Sequence, residues 1–459
     1  MALVTLAPLP QPVKALPWPF SNNRLTVGLL SFLVLILWRV WTVSHFSVVI
    51  GAMELVLLVP CVAWTAWRIT QRALANDWSV NGFELYVLLL LILPFGSAVG
   101  ARHAFGQPVI WGIIAFKDYY LLLGVLAIGH WLRMGWVSLR QVEQALVIVA
   151  WACLAYFYFA TLFINPAPYQ DTPLAGANEV KGGGVYYRFN MGAMYFGAIY
   201  YTARAFMRSR WADLLPAMLF AAYIVVFRLD RTSMAVTAIG MAGVALWNAP
   251  FQRIMKVALA ALLPAAVAVM LLFTFAPQKV EQYKHMFLDA MDTVMGNSGD
   301  GTETSIRTVE SAIAERQVAK HPWIGNGRIS KSWNEEGYDK YFGFFYPADI
   351  GALGLVFIYG YPGALLLYLL FPVAFVYVLR TKERRGDVFL STLRFLLLAL
   401  FLDSLSNGQL TQNTAQPLLV MALLHFYQRR PAIAGVSRPS VPAVRAISAN
   451  TTRTSGAAG

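Results

Sequence analysis

The 459-residue chain is predicted to be an all-α polytopic membrane protein of about twelve transmembrane helices with a large helical loop on one face. Three observations predict this. Apolar residues make up 58% of the chain and charged residues only 13%, which excludes a soluble globular class. Apolar runs of roughly the 20 residues needed to cross a hydrocarbon layer recur along the sequence. One long stretch, Ala276 to Asp349, interrupts them without such a run, and loops of that length usually carry function.

The runs fall near 26–44, 47–67, 83–101, 109–131, 142–164, 191–206, 213–228, 232–248 and 254–275, then 350–378, 387–402 and 412–428. The chain therefore divides into a Pro-rich cytoplasmic or interfacial tail (1–25) and a first bundle of about nine spans (26–275). A loop domain (276–349), a second bundle of about three spans (350–428) and a tail expected to be disordered (429–459) follow. The N-terminal segment lacks the charged, apolar and small-residue order of a cleavable signal. The two cysteines, Cys61 and Cys153, lie in apolar runs without companion ligands, so neither a metal site nor a stabilising disulfide is expected.

The net charge of +13 is explained by topology rather than by nucleic acid. The loops WRITQR, RMGWVSLR, ARAFMRSR, FQRIMK and RTKERR hold roughly thirteen Lys and Arg, against about five in the opposite short loops. Both termini are thus expected in the cytoplasm, with 276–349 and the smaller loop 165–190 on the outer side. No repeat is visible, and no broken helix of the kind transporters use.

Ionisable groups inside spans cost about 2.5–3.5 kcal/mol each, so they need partners or a wet cavity. Arg39 and Glu54 read as a structural ion pair across the first hairpin. Lys117 and Asp118 share the fourth run, and Lys117 is a candidate lining residue, against pairing within the bundle. In KGGGVYYRFN, a glycine triplet precedes Arg188 and frees the backbone to approach a ligand. In VVFRLDRTSMAV, Arg228, Asp230 and Arg231 share a short outer turn, where the guanidiniums either snorkel to headgroups or hold an anion.

The segment TSIRTVESAIAERQVAK spaces Ile306, Val309 and Ile313 helically, which predicts a helix lying on the membrane with that stripe inward. Arg307 in its first turn opposes the helix dipole, a cost that a bound anion offsets. Pro322 ends the helix, and Gly325 and Gly327 permit a tight return to the bundle. Trp323, Trp333, Tyr338, Tyr341, Phe342, Phe344, Phe345 and Tyr346 offer aromatic faces to sugars or form an interfacial belt. DSLSNGQLTQN, Asp403 to Asn413, is either an acceptor contact or a solvated turn.

Taken in order from Tyr187 to Leu367, these features resemble the O-antigen polymerase and O-antigen ligase superfamily: the turn with Arg231, Thr232 and Ser233, the long loop with Arg307, HPWIGNG, and DIGALGLVFIYGYPGALL. The first five spans match only in hydropathy. The resemblance implies a multi-pass enzyme of the bacterial inner membrane with a large helical periplasmic loop. Such an enzyme moves a glycan from undecaprenyl pyrophosphate without cofactor, nucleotide sugar or metal. It implies that Arg231 and Arg307 hold the pyrophosphate, a role suited to planar guanidiniums, with Arg188 and Arg228 beside them. Ligases of the superfamily place a histidine just before the span after the loop; FYPADIGALG has Asp349 there instead, which favours a polymerase with Asp349 as base or as N-cap of the span beginning at Ile350. His321 precedes a turn-forming Pro322 and is a poor replacement. Expected substrate contacts are Arg188, Arg228, Lys117, Trp323 and Tyr346, and expected partners are undecaprenyl-pyrophosphate-linked glycans and membrane lipids, with a chain-length regulator as a further candidate. The competing readings are an O-antigen ligase acting on lipid A core and a lipid-linked oligosaccharide flippase.

Overall fold

Local signals set many of the helix ends. Ser138 and Gln141 form a reciprocal cap, with Ser138 Oγ accepting the Gln141 N–H at 3.2 Å and Gln141 Oε1 accepting the Ser138 N–H at 2.8 Å. Gly106, at φ 75°, closes the helix before it in the left-handed conformation. A computed structural model describes residues 23–38, 59–60, 62–67, 70–71, 82–165, 177–181, 184–187, 189–228, 230–256, 270, 274, 284, 303–381, 386–406, 408, 410 and 413–429. For 117–118, 177–181, 184–186, 303–306 and 429 the backbone alone is described.

The helices in chain order are α1 (Asn23–Leu37), α2 (Gly82–Leu90), α3 (Leu93–Phe105), α4 (Val109–Ile114), α5 (Leu122–Arg133), α6 (Leu139–Phe163), α7 (Gly192–Arg208), α8 (Leu214–Ala222) and α9 (Arg231–Asn248). They continue with α10 (Glu303–Lys320), α11 (Asp339–Phe342), α12 (Gly351–Tyr368), α13 (Leu370–Arg380), α14 (Val388–Ser406) and α15 (Ala415–Arg429). One short antiparallel hairpin, β1 (Ala177–Lys181) with β2 (Gly184–Tyr187), departs from the all-α expectation.

Helix α7 sits at the centre, packed by α6, α8, α9 and α14 and buried along nearly its whole length. Small residues let these helices approach. A Cβ at Gly197 would overlap the Phe220 ring, and one at Gly240 would overlap Ile199. Helix α1 packs against α5 and α6, while α15 packs against α5, α13 and α14. Two charged pairs inside the fold are neutralised locally, Glu84 with Arg133 and Arg204 with Asp213, the latter at 3.0 Å.

Among the described residues, five helical segments are long and apolar enough to cross a membrane: Gly82–Phe105, Leu139–Phe163, Trp211–Arg228, Pro347–Arg380 and Val388–Ser406. This is the architecture of a membrane protein. Within the expected runs near 191, 232 and 412, helices stand at Gly192–Arg208, Arg231–Asn248 and Ala415–Arg429, but they are shorter or less apolar, and Asn23–Leu37 has only 15 residues. Most of the runs at 47–67 and 254–275, the Arg39–Glu54 pair and 276–302 except for 284 lie outside the described residues. The run at 109–131 is not one helix: α4 gives way at Lys117–Leu121 to a 3-10 turn before α5, so the interruption falls on the charged pair.

Two expectations are overturned around α12. The first is an unbroken span, because Gly360 at φ 69° and ψ 176° breaks α12, and Pro362 has no N–H to restore the helix. The opened carbonyls are taken by HPWIGNG: Asn326 N–H donates to Phe357 O at 2.7 Å, and Gly327 N–H donates to Ile358 O at 3.1 Å. In return Tyr361 N–H donates to Pro322 O at 2.8 Å. Main chain therefore satisfies main chain at the break. The second is the inward placement of Val309. Helix α10 packs on α12, Val309 is 58% exposed, and Glu310, Ala314 and Val318 are the buried side chains.

Gly325 and Gly327 do return the chain to the bundle, both at positive φ. A Cβ on Gly327 would overlap the main chain of Ser97 and Ala101 in α3. Side chains of α3 and the turn after it fasten the next residues: Ser97 Oγ accepts the Arg328 N–H at 3.1 Å, and Gln107 Nε2 donates to Arg328 O at 3.1 Å.

Candidate functional site

Two polar neighbourhoods meet at the C-terminal end of α14. The first is built at the start of α9. A π-helical stretch, Tyr223–Arg228, ends α8, and Asp230 then caps α9 by accepting the Thr232 N–H at 3.2 Å. The other Asp230 oxygen accepts from Ser233 Oγ at 2.6 Å, and Ser233 Oγ accepts from Tyr195 Oη at 2.9 Å. The charges of Asp403, Asp230 and Arg228 all reach the Tyr195 hydroxyl. Arg228 buries its Nε and Nη1 without a hydrogen-bond partner among the described residues, and Arg231 is half-buried at the first position of α9.

The second neighbourhood is built by α10 and the turn that leads into α12. Arg307 is half-buried, and one turn later Glu310 is fully buried. Glu310 Oε1 accepts the Tyr346 N–H at 2.8 Å, whereas Oε2 is buried with no hydrogen-bond partner among the described residues. Burial pushes the Glu310 carboxyl up to about 7, with Asp349 and Asp339 adding to the rise and the Tyr346 amide and Arg307 opposing it. Asp349 lies in the 3-10 turn Pro347–Ile350. It does not cap α12: the N-cap is Ile350, with no side-chain cap.

The two neighbourhoods adjoin through tight backbone contacts. A Cβ on Gly351 would overlap Leu405 O, and one on Gly408 would overlap Ala348. The turn holding Asp349 thus packs on the end of α14 that carries Asp403. Asp403, Ser404, Asn413, Thr414 and Gln416 are buried, and Asn413 Nδ2 donates to Trp38 O at 3.0 Å. At Asp403, Ser404 and Asn413 the stretch is buried polar packing rather than a solvated turn, while 407, 409, 411 and 412 lie outside the described residues.

The remaining expected site residues divide. Tyr346 borders Glu310 through its amide, with its ring 5.7 Å from the Lys331 ammonium. Trp323 stands apart, 75% exposed beyond the far end of α10, about 20 Å along the helix from Arg307 at 1.5 Å per residue. Of Lys117 only the backbone is described, and Arg188 lies outside the described residues. The aromatic cluster splits as well. Phe345 is fully buried and packs with Tyr338, Phe342 and Phe357, while Tyr338 Oη donates to Gly327 O at 2.8 Å. Trp323, Tyr341, Phe344 and Tyr346 remain exposed. Glu310, Tyr195 and Asp403 were not singled out from the sequence; for Glu310, the available signal is an acidic residue three positions after Arg307 on one helix face.

Chemically, guanidiniums and carboxylates stand in both neighbourhoods, groups of the kind that bind anions and move protons. No curated protein matches the chain. Residues 216–368, which hold Arg228, Arg231, Arg307, Glu310 and Asp349, match the family model Wzy_C, described as O-Antigen ligase. That match supports placing the chain in the O-antigen ligase and polymerase superfamily of glycosyltransferase-like membrane enzymes.

Proposed function

We propose that the protein is a Wzy-type polysaccharide polymerase of the bacterial inner membrane, acting at the periplasmic face with both termini in the cytoplasm. It extends O-antigen or exopolysaccharide repeats by moving a growing glycan from undecaprenyl pyrophosphate to a lipid-linked repeat unit. The observation that supports the reading is the junction at the end of α14. There the Asp230–Ser233–Tyr195 network with Arg228 and the Arg307–Glu310–Asp349 group adjoin, and all of these residues except Tyr195 lie inside the matched region.

In this reading Arg231 and Arg307 bind the donor diphosphate bidentately, with Arg228 as a further cation. Asp349 takes the proton of the acceptor hydroxyl, whose oxygen forms the new bond to the anomeric carbon. The bond from that carbon to the phosphate oxygen breaks, and its electron pair leaves on the diphosphate, where the guanidiniums stabilise the gathering charge. Prenyl tails lie in the lipid phase beside the spans, each buried CH2 contributing about 0.8 kcal/mol.

A second reading, ligase transfer to lipid A core, is favoured by the description of the matched family. Reconstitution in vesicles separates the two. Incubation with lipid-linked repeats alone is expected to yield a ladder of lengthening carrier-linked glycans. Transfer only to lipid A core overturns the polymerase, and movement of carrier across the bilayer with unchanged glycan length overturns both in favour of a flippase.

A further inference from the structure

The carboxyl group of Glu310 is placed unlike the other acids near the junction. It is completely buried on a helix of otherwise polar character, with one oxygen anchored by the Tyr346 amide and the other facing no donor among the described residues. The charged groups around it come from three elements: Arg307 on its own helix, Asp349 on the turn before α12, and Asp339 on α11. Lys331 reaches the same corner over the Tyr346 ring, and α12 packs on α10 with tyrosines as its only titratable side chains. An ionised Glu310 would add a third carboxylate to Asp349 and Asp339, where Arg307 is the cation of α10 whose charge acts on it. A neutral Glu310 keeps the amide bond, since a protonated carboxyl retains an acceptor oxygen.

We propose that Glu310 is a positioning residue that couples occupancy of an anion site at Arg307 to the uptake of one proton. Protonated, it holds the Tyr346 amide and adds no charge beside Arg307. Ionised, it adds a negative charge there and repels a diphosphate. The only bond made is O–H on the Glu310 carboxyl, the proton coming from solvent as the anion enters. The inference rests on the reading that Arg307 grips the donor diphosphate and adds what that reading lacks, a proton taken up with the donor and given back when the carrier departs.

The sign follows from linkage. The carboxyl, already pushed up to about 7, is pushed further by a bound anion, so affinity is full below that pH and falls as pH rises through it. For one coupled proton the fall is about tenfold per pH unit. The test is titration calorimetry of farnesyl diphosphate into the full chain in nanodiscs, from pH 6 to 8.5, in buffers of different ionisation enthalpy. Because the diphosphate itself titrates in this range, the informative quantity is the difference between wild type and Glu310→Gln, whose side chain keeps an acceptor for Tyr346. Wild type is expected to take up close to one proton more than the variant at pH 8, and the variant to bind about tenfold tighter there.

A second readout needs no variant to fold: infrared difference spectra on adding farnesyl diphosphate at pH 8 should show wild type gaining a protonated-carboxyl band. Equal proton uptake in the two proteins, or no gain of that band in wild type, overturns the proposal. Arg307→Ala distinguishes this from failure of the donor site. If that substitution weakens binding while wild type and Glu310→Gln behave alike, the donor site stands and the coupling is wrong; if it leaves binding unchanged, the donor reading itself fails.

Discussion

The side-chain oxygen of Gln107 accepts the main-chain N–H of Ser330 at 2.7 Å, while the amide nitrogen of the same residue donates to Arg328 O. Gln107 is itself fully buried, so one side chain substitutes for two backbone partners that a returning loop would otherwise lack. Gln107→Ala is expected to cost on the order of 1–3 kcal/mol for each buried group left unpaired. Thermal unfolding of the detergent-purified chain checks this.

Gly327→Ala should prevent accumulation of folded protein, because the position combines φ 75° with direct contact on the main chain of Ser97 and Ala101, neither of which can move aside. Gly106→Ala is the matched control. It has the same φ but open space around it, so it should cost only the left-handed backbone strain of about 1–2 kcal/mol. Size-exclusion profiles of the two variants compare the outcomes directly.

Arg231→Ala and Arg307→Ala are each expected to lower glycan extension on the order of 100-fold or more, the scale of losing one charge-stabilising donor. Lysine at either position should restore little, since a single ammonium lacks the paired donors of a guanidinium. Ladder formation from lipid-linked repeats is the assay, and wild-type ladders from either alanine variant remove that arginine from the chemistry.

Asp349→Asn carries a sharper meaning now that Ile350, without side-chain assistance, starts α12. The substitution should leave the melting temperature unchanged while extension collapses. A fall in stability matching the fall in rate would instead make Asp349 a structural residue.

How far the chain could be read in advance depended on the range of the interactions. Several of the apolar runs and the tight turn at Gly325 and Gly327 follow from neighbours in sequence and were legible, whereas the cap at Asp230, equally local, was not read. Val309 was expected inward because its spacing matched Ile306 and Ile313. The inward face holds Glu310 instead, and what makes its burial tolerable is an amide 36 residues away on Tyr346. The burial of Asn413 at the end of the polar stretch after Asp403 was hidden for the same reason: its Nδ2 donates to Trp38 O, 375 residues earlier. The break at Gly360 hides inside an apolar run whose hydropathy it does not change. Gly360 and Pro362 in GYPG were the only local trace of it.

The threading of HPWIGNG against α12 also dictates where the molecule can accept foreign sequence. Pro322, Asn326, Gly327, Arg328 and Ser330 are hydrogen-bonded to α12, to Ser97 of α3 or to Gln107 just after it, so an insertion among them would have to unpick backbone pairing. Glu335 and Glu336, a few positions on, are exposed in a turn closed by Asn334 and Gly337. An epitope or a fluorophore attached at those two glutamates can report on the loop from outside while leaving its seam intact.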